Sequence, residues 1–346
     1  MSDRVQRLQD KLDHPFLLTN PVNVKYLVGF DSSNCALLVE RDRVRLFTDF
    51  RYIESARAIG GGVEVVETKR DTIGALGELL AGERVTFEGV LPYSLYERLR
   101  DAGVELDAGG GLVEELRAVK DEQELATLRR ACAITDRAFE RLAQVQFTGR
   151  TERDVAWELV QIFHEEGAHE PSFEFIVGSG PTGAQPHGRA GDRVIGSGEL
   201  VVIDAGCIVD GYASDYTRTF STGGVNGEMR EAYDVVLAAQ QAALDGIRAG
   251  ISGVDADALA RDVIDDSPFK GKLGHGLGHG LGLDIHEAPR LSTESSDTLV
   301  PGNVVTVEPG IYVEGRFGIR IEDDVVVTQE GIENLTGFRK DWLEVA

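Results

Sequence analysis

The stretch HGLGHGLGLDIHE, residues 275–287, contains three of the seven histidines of this 346-residue chain. Glycines alternate between His275, His279 and His286, so that the backbone and a bound group can approach one another closely. A single histidine is more often a structural residue than a ligand. Three histidines in one short glycine-rich segment favour a metal or catalytic site.

Two aspartates upstream of this segment border apolar runs. Asp204 ends the run VVID, and Asp215 follows a Gly-Tyr turn further along the chain. A hairpin would bring both carboxylates to one face of a sheet. Because a buried carboxylate is costly without a partner, the pair suggests a shared cation. Either aspartate alone is better explained by a turn cap or by an ion pair with Arg218.

Two glutamates lie in similar positions downstream. The β-rich run VVTVEPG reaches Glu308, and the run GIRIEDD carries Arg320 and Glu322 in alternation with isoleucine, which places both on one strand face. Glu322 is either a metal ligand supported by Arg320, or its acidic neighbours form an ion pair with that arginine. Four carboxylates and one imidazole form an oxygen-rich ligand set. Such a set is more typical of paired divalent ions such as manganese than of a thiolate zinc site. Two such ions about 3.5–4 Å apart are the usual arrangement for metal-assisted amide hydrolysis.

The chain divides into an α/β part and an α+β part. Short β-rich runs and helical segments alternate over the first 115 residues, and three glycines at 109–111 mark the end of this part. The predicted strands are 15–18, 35–40, 44–48, 63–67 and 84–88, and the predicted helices are 52–59 and 72–80. Downstream, Asp121 and Thr151 begin helices, each with an acidic residue three positions later. The other predicted helices are 228–247 and 254–264, and the predicted strands are 199–204, 215–220, 303–308 and 318–327.

The composition limits the partners and the compartment. Fifty-nine acidic residues against 35 basic ones give a net charge of -24, a field that repels nucleic acid and anionic membrane surfaces. Seven lysines leave 28 arginines, which favours a high-salt habitat over an ordinary acidic cytosolic protein. Cys35, Cys132 and Cys207 have no CxxC spacing, and the first residues lack an apolar signal core. We therefore expect a cytoplasmic protein with reduced, buried cysteines.

These motifs together resemble a known family. The candidate ligands occur in the same order as those of the "pita-bread" metallopeptidases, which include methionine aminopeptidase, aminopeptidase P and prolidase. VKYLVGF (24–30) resembles the creatinase-type N-terminal domain, and LRAVKDEQEL (116–125) resembles the junction between domains. The resemblance spans nearly the whole chain. It implies an α/β N-terminal creatinase-like domain over residues 1–115 and an α+β pita-bread catalytic domain over residues 116–346.

The resemblance also implies the roles of the metal ligands. Two divalent ions are expected, with manganese preferred and cobalt, iron or zinc as alternatives. Asp204 would chelate one ion, His279 and Glu308 would hold the other, and Asp215 and Glu322 would bridge the pair. A bridging water or hydroxide would be the nucleophile, and Glu308 would shuttle its proton.

Further residues match family positions around the metals. His187 and His286 would bind the substrate and stabilise the tetrahedral intermediate. His275 would line the pocket for the proline ring. Arg320 would support the bridging carboxylates, and Tyr312 would lie at the edge of the site.

The activity implied is cleavage between an N-terminal residue and proline, by a homodimer acting on proline-containing peptides. The long N-terminal region counts against methionine aminopeptidase. Arg290 stands where an arginine suited to a free carboxylate would favour prolidase over aminopeptidase P, although it is also explained as a surface charge. A non-catalytic binding module, or a lyase or non-peptide hydrolase on the same fold, are the alternatives.

Overall fold

The first unit of the chain, which ends at Arg117, is organised around one six-stranded sheet in the order β4-β3-β2-β1-β5-β6. The computed structural model describes residues 3–346. The strands are β1 (Phe16–Leu18), β2 (Cys35–Val39), β3 (Val44–Asp49), β4 (Val63–Thr68), β5 (Arg84–Phe87) and β6 (Glu105–Ala108). Strand β2 is antiparallel to both of its neighbours, and the remaining pairs are parallel. Strands β1 to β3 are buried along their whole length, as expected for strands in the middle of a covered sheet.

Helices connect these strands. They are α1 (Asp3–Gln9), α2 (Pro21–Val28), α3 (Ile53–Ala58), α4 (Thr72–Leu80), α5 (Tyr93–Asp101) and α6 (Leu112–Ala118). All five predicted strands and both predicted helices of this part are present. The sequence prediction missed β6, which is partly exposed, and the helices α1, α2, α5 and α6.

The second unit begins at Ala118 and contains several smaller sheets. Its helices are α7 (Glu122–Leu142), α8 (Glu152–Glu165), α9 (Gly227–Gly246) and α10 (Gly253–Asp265), with a 3-10 turn at Thr182–Ala184. The capping boxes predicted at Asp121 and Thr151 are both formed. The first strands are β7 (Glu170–Pro171), β8 (Ile176–Ser179), β9 (Leu200–Ala205), β10 (Cys207–Val209), β11 (Tyr212–Ala213) and β12 (Tyr216–Ser221).

The remaining strands follow α10 along the chain. They are β13 (Gly278–Gly280), β14 (Glu287–Leu291), β15 (Val304–Val307), β16 (Gly310–Val313), β17 (Phe317–Arg320), β18 (Asp323–Val327), β19 (Ile332–Asn334) and β20 (Leu343–Glu344). The two largest sheets of this unit have the orders β20-β12-β9-β8 and β14-β13-β15-β18-β19. One apolar core packs α7 and α8 against β9 and β12, and a second packs α9 and α10 against β15 and β17.

The prediction of one continuous strand over residues 318–327 is wrong. Strand β17 pairs with β16 in a two-stranded hairpin, whereas β18 pairs with β15 in the five-stranded sheet. The chain leaves the hairpin at Glu322, where the Glu322 N–H donates to the carbonyl of Thr217 at 3.1 Å. This crossing between sheets lies at the predicted metal site. No helix within residues 3–346 combines the length and the apolar character needed to cross a membrane.

Candidate metal centre

The two aspartates share one face of an antiparallel pair, as the hairpin interpretation predicted. Strands β9 and β12 pair so that Asp204 lies directly opposite Thr217. Asp215 precedes Thr217 by two residues and therefore faces the same side. Arg218 faces the other side, where it contacts Asp323 at 3.0 Å rather than either aspartate. The ion pair considered as an alternative explanation for the aspartates is therefore absent among the described residues.

His279 and Glu308 come from neighbouring strands of the five-stranded sheet. His279 is the central residue of β13, and Glu308 follows the last residue of β15. Thr306 links them, since its hydroxyl accepts from the His279 N–H at 3.1 Å and donates to Glu308 Oε1 at 3.2 Å. The Glu308 N–H donates to the carbonyl of Leu277 at 2.8 Å, which fixes the turn after β15.

The two sheets bring the predicted ligands together. One donor atom each from Asp215, His279 and Glu322 lies within 4.8 Å of the other two. His279 Nε2 is 3.8 Å from Asp215 Oδ2 and 3.4 Å from Glu308 Oε1. Asp204 lies close enough for its charge to contribute to the raised pKa of Asp215 and of Glu322. Its Oδ2 accepts a hydrogen bond from Arg320 at 2.5 Å.

Burial and like charge oppose ionisation of these carboxyls. Burial, and then the charge of Glu322, raises the pKa of Asp215 well above its ordinary value. Burial and the charge of Glu308 do the same for Glu322, and burial raises the pKa of Glu308. A bound cation would relieve this repulsion and stabilise the ionised forms.

The imidazole of His279 has a fixed tautomer that suits a metal. Its Nδ1 lies 3.1 Å from the carbonyl of Gly280, which can only accept, so Nδ1 carries the proton. Burial lowers the pKa of His279, which favours the neutral ring, and Nε2 therefore presents a lone pair. This lone pair faces the carboxylates of Asp215 and Glu308. The approach of the nitrogen to these oxygens is favourable only when a cation, either a proton or a metal ion, lies between them. Asp204 Oδ1 is buried and has no hydrogen-bond partner within residues 3–346, so its lone pairs are available to a metal ion. The residues present therefore fit divalent metal ions.

A chain of hydrogen bonds connects the candidate ligand Asp204 through Arg320 and Tyr312 to His275. His275 Nδ1 lies 2.7 Å from the carbonyl of Gly276, so its Nε2 is the acceptor for the hydroxyl of Tyr312 at 2.9 Å. The same phenol oxygen accepts from Arg320 at 3.1 Å. Burial raises the pKa of Tyr312 to about 12, so the phenol stays protonated at neutral pH.

Arg320 also supports the carboxylates through a threonine. Its Nε donates to the Thr217 hydroxyl at 2.8 Å, and that hydroxyl donates to Glu322 Oε2 at 2.7 Å. Its Nη1 donates to the carbonyl of Pro186 at 3.2 Å, which ties the loop that carries His187 to the site.

The remaining predicted residues border the centre on exposed segments. The ring of His286 meets the ring of His279 edge to face, with centroids 4.3 Å apart. Arg290 on β14 lies directly opposite His279 on β13, so both side chains are on the same sheet face. Burial, followed by the charges of His279, His187 and Arg290, lowers the pKa of His286. All predicted site residues thus lie in or around one centre.

Sequence reasoning missed the residues that hold the ligands in place. Thr217 and Thr306 orient Glu322 and Glu308 through their hydroxyls. Asp324 is buried, and its Oδ2 accepts from the Asp215 N–H at 3.0 Å. The sequence does contain a signal for these three residues. Each is a polar residue beside an apolar run and lies two positions from a candidate ligand.

Comparisons with known proteins agree with this geometry. Residues 126–329 match the family described as "Metallopeptidase family M24", and residues 4–119 match the "Creatinase/Prolidase N-terminal domain". The chain is 39% identical to the uncharacterized peptidase YqhT of Bacillus subtilis, over 94% of each chain.

Two solved structures resemble the whole chain. The Xaa-Pro dipeptidase from Bacillus anthracis superposes with a TM-score of 0.95 at 38% identity, covering 99% of both chains. The X-Pro aminopeptidase from Thermotoga maritima superposes with a TM-score of 0.88 at 35% identity, covering 98% of this chain and all of that one. With the ligand cluster, these matches show that the chain belongs to metallopeptidase family M24.

Proposed function

We propose that this chain is a metal-dependent Xaa-Pro peptidase, and that it acts as a dipeptidase (prolidase). The observation that carries the proposal is the unprotonated Nε2 of His279 facing buried carboxylates, at a position where a peptidase of this family would hold a metal. The resemblance to an Xaa-Pro dipeptidase over 99% of the chain supports the substrate class.

The proposed metal site uses five side chains, which are Asp204, Asp215, His279, Glu308 and Glu322. Two divalent ions bound there would polarise the scissile carbonyl and generate a nucleophile from water at neutral pH. The oxygen-rich set favours manganese, with cobalt, iron or zinc as alternatives. Glu308 would also accept and pass on a proton during the reaction, as the family resemblance implies.

The surrounding side chains position the substrate in this proposal. His187 and His286, on exposed segments at the rim, would donate hydrogen bonds to the oxygen that gains charge at the scissile carbonyl. Tyr312 and His275 would form the wall against which the proline ring packs. Arg320 is a positioning residue, because it holds Asp204 and Tyr312 in their observed orientations.

Arg290 favours a dipeptidase over an aminopeptidase. It lies beside His279 on the same sheet face, and its charge lowers the pKa of both His279 and His286. A guanidinium this close to the site can bind the free carboxylate of an Xaa-Pro dipeptide, which a longer peptide lacks at that position.

The test is hydrolysis by the manganese-loaded enzyme in high-potassium buffer. The substrates are an Xaa-Pro dipeptide, an Xaa-Pro-Xaa tripeptide and a proline-free dipeptide. We expect cleavage of the first alone. Cleavage of the tripeptide would identify an aminopeptidase P, and cleavage of the proline-free control would contradict the proposed specificity.

The variant Arg290→Ala separates the role of this arginine from that of a surface charge. Loss of a charge-assisted hydrogen bond, about 1.5–3 kcal/mol, should raise KM for the dipeptide roughly 10- to 100-fold and change kcat less. Arg248→Ala removes an exposed arginine at the end of α9 and is the matched control. An unchanged KM in Arg290→Ala would return Arg290 to the surface-charge interpretation.

The cellular setting is also part of the proposal. Three free, buried cysteines are consistent with a reducing cytoplasm, and a net charge of -24 is consistent with a salt-rich one. The homodimer implied by the family resemblance is to be checked by the mass of the protein in solution.

A further inference from the structure

Arg218 is a fully buried arginine that the proposed reaction does not use. Its side chain has no exposed surface, and all five of its N–H groups donate hydrogen bonds. The acceptors are Asp323 Oδ1 and the carbonyls of Thr217, Glu322, Phe338 and Arg339, at distances from 2.5 to 3.1 Å. The guanidinium also packs between the rings of Tyr216 and Phe338.

Stability alone does not account for such a residue. Removing an arginine and an aspartate from water is costly, and well-packed apolar side chains of similar volume often replace a buried ion pair without loss. What the ion pair provides is a defined geometry, because the planar guanidinium satisfies several acceptors in fixed directions.

The acceptors of Arg218 lie where the two main sheets of the second unit meet. Its Nη1 donates to the carbonyl of Thr217 at 3.0 Å and to that of Glu322 at 2.5 Å. Thr217 belongs to β12 of the four-stranded sheet, and Glu322 directly precedes β18 of the five-stranded sheet. Nη1 of Arg218 therefore bonds to both chain segments at the point where they cross.

Three successive acids complete this connection. Glu322, Asp323 and Asp324 each accept a hydrogen bond from the segment 215–218, through the Thr217 hydroxyl, the Arg218 guanidinium and the Asp215 amide respectively. The segment carries one candidate ligand, Asp215, and the acids carry another, Glu322. Their separation is therefore set by these three bonds.

We propose that Arg218, paired with Asp323, is a positioning residue of the metal centre, which holds Asp215 and Glu322 at the separation that a metal pair requires. This inference rests on the proposed metal site but not on the proposed substrate. Arg218 contacts neither metal nor peptide and acts through the backbone of Thr217 and Glu322.

The test measures metal binding by Arg218→Lys with Mn²⁺ alone as the probe. Lysine keeps the charge but has three donors for five acceptors. We expect a folded protein that binds Mn²⁺ about 10- to 100-fold more weakly, the usual cost of losing a residue that orients metal ligands. The paramagnetic resonance spectrum should change from that of a coupled manganese pair toward that of isolated ions.

Two further variants make the result decisive. Asp323→Asn keeps the shape of the side chain and one oxygen acceptor, and it should also weaken Mn²⁺ binding. It replaces Arg218→Lys as the test if that variant fails to fold. Arg141→Lys is the control, because it makes the same exchange at an exposed arginine of α7 that pairs with Glu166 at 3.0 Å, and it should leave binding unchanged.

The outcomes distinguish this inference from the proposed function. A lower melting temperature with unchanged Mn²⁺ affinity and spectrum would overturn it, because Arg218 would then contribute only stability. A wild-type chain that binds no Mn²⁺ would overturn the metal centre and this inference with it. A wild-type chain that binds Mn²⁺ but cleaves no Xaa-Pro peptide would refute only the proposed substrate.

Discussion

The variant Asp215→Asn should stabilise the metal-free protein and destabilise the metal-loaded one. Asp215 is buried among Glu322, Asp204 and Glu308, whose charges raise its pKa after burial itself. In the absence of metal, asparagine removes one repelling charge at nearly constant volume. In the presence of metal, it removes a proposed ligand.

The size of the effect follows from the geometry. The donor atoms of Asp215 and Glu322 are within 4.8 Å of each other. Two unit charges at that separation repel by about 3 kcal/mol at an effective dielectric constant of 20, which is an upper value because partial protonation relieves the repulsion. A unit of this size shifts its melting temperature by about 2–4 °C per kcal/mol, so the metal-free variant should melt above the wild type by up to roughly 6–12 °C.

The assay is thermal unfolding at pH 8, followed by circular dichroism, first with a chelator and then with saturating Mn²⁺. Asp234→Asn is the control, since Asp234 is an exposed aspartate on α9 paired with Arg230, and it should shift the melting temperature by less than about 2 °C. Binding raises stability by RT ln(1 + [L]/Kd), so Mn²⁺ should raise the melting temperature of the wild type far more than that of Asp215→Asn. A metal-free Asp215→Asn that melts several degrees below the wild type would refute the reasoning.

Two further predictions concern pH and salt. Burial and like charge raise the pKa of Asp215 and Glu322 above the ordinary 3.8 and 4.5, so the contribution of these groups to stability is complete below those values and is lost as pH rises through the folded-state pKa. The melting temperature of the metal-free protein should therefore fall between pH 5 and pH 8, and a rise over this interval would contradict the assignment. The net charge of -24 predicts a higher melting temperature in molar KCl than in dilute buffer, and an equal value would exclude adaptation to salt.

The elements that carry their own signals could be predicted from the sequence. The capping boxes at Asp121 and Thr151 and the apolar runs around β9 and β12 are local patterns, and the structure forms them within one or two residues. The two-residue strands β7 and β20 were missed, because their partners β10 and β12 lie far along the chain. The break at Glu322 was missed for the same reason, since the Thr217 carbonyl that receives its N–H is distant in sequence.

The candidate metal ligands were easier to find than the residues that hold them. A carboxylate at the end of an apolar run stands out, whereas Arg218 allowed several partners until the register of the strands was known. Alternation along β12 places Arg218 on the face opposite to Asp215 and Thr217. Asp204 is also excluded as a partner of Arg218, but only the strand register, in which Asp204 lies opposite Thr217, shows this.

The acidic run at residues 322–324 shows why only one of three neighbouring acids is available to a metal. Asp323 is engaged by Arg218, Asn334 and Lys340. Burial raises the pKa of Asp324 well above its ordinary value, which favours its neutral form behind the Asp215 amide. Glu322 accepts from the Thr217 hydroxyl on one oxygen, and after burial the charges of Glu308 and Asp204 raise its pKa. Because Glu322 faces other candidate-ligand carboxylates, a cation placed among them would favour its ionised form.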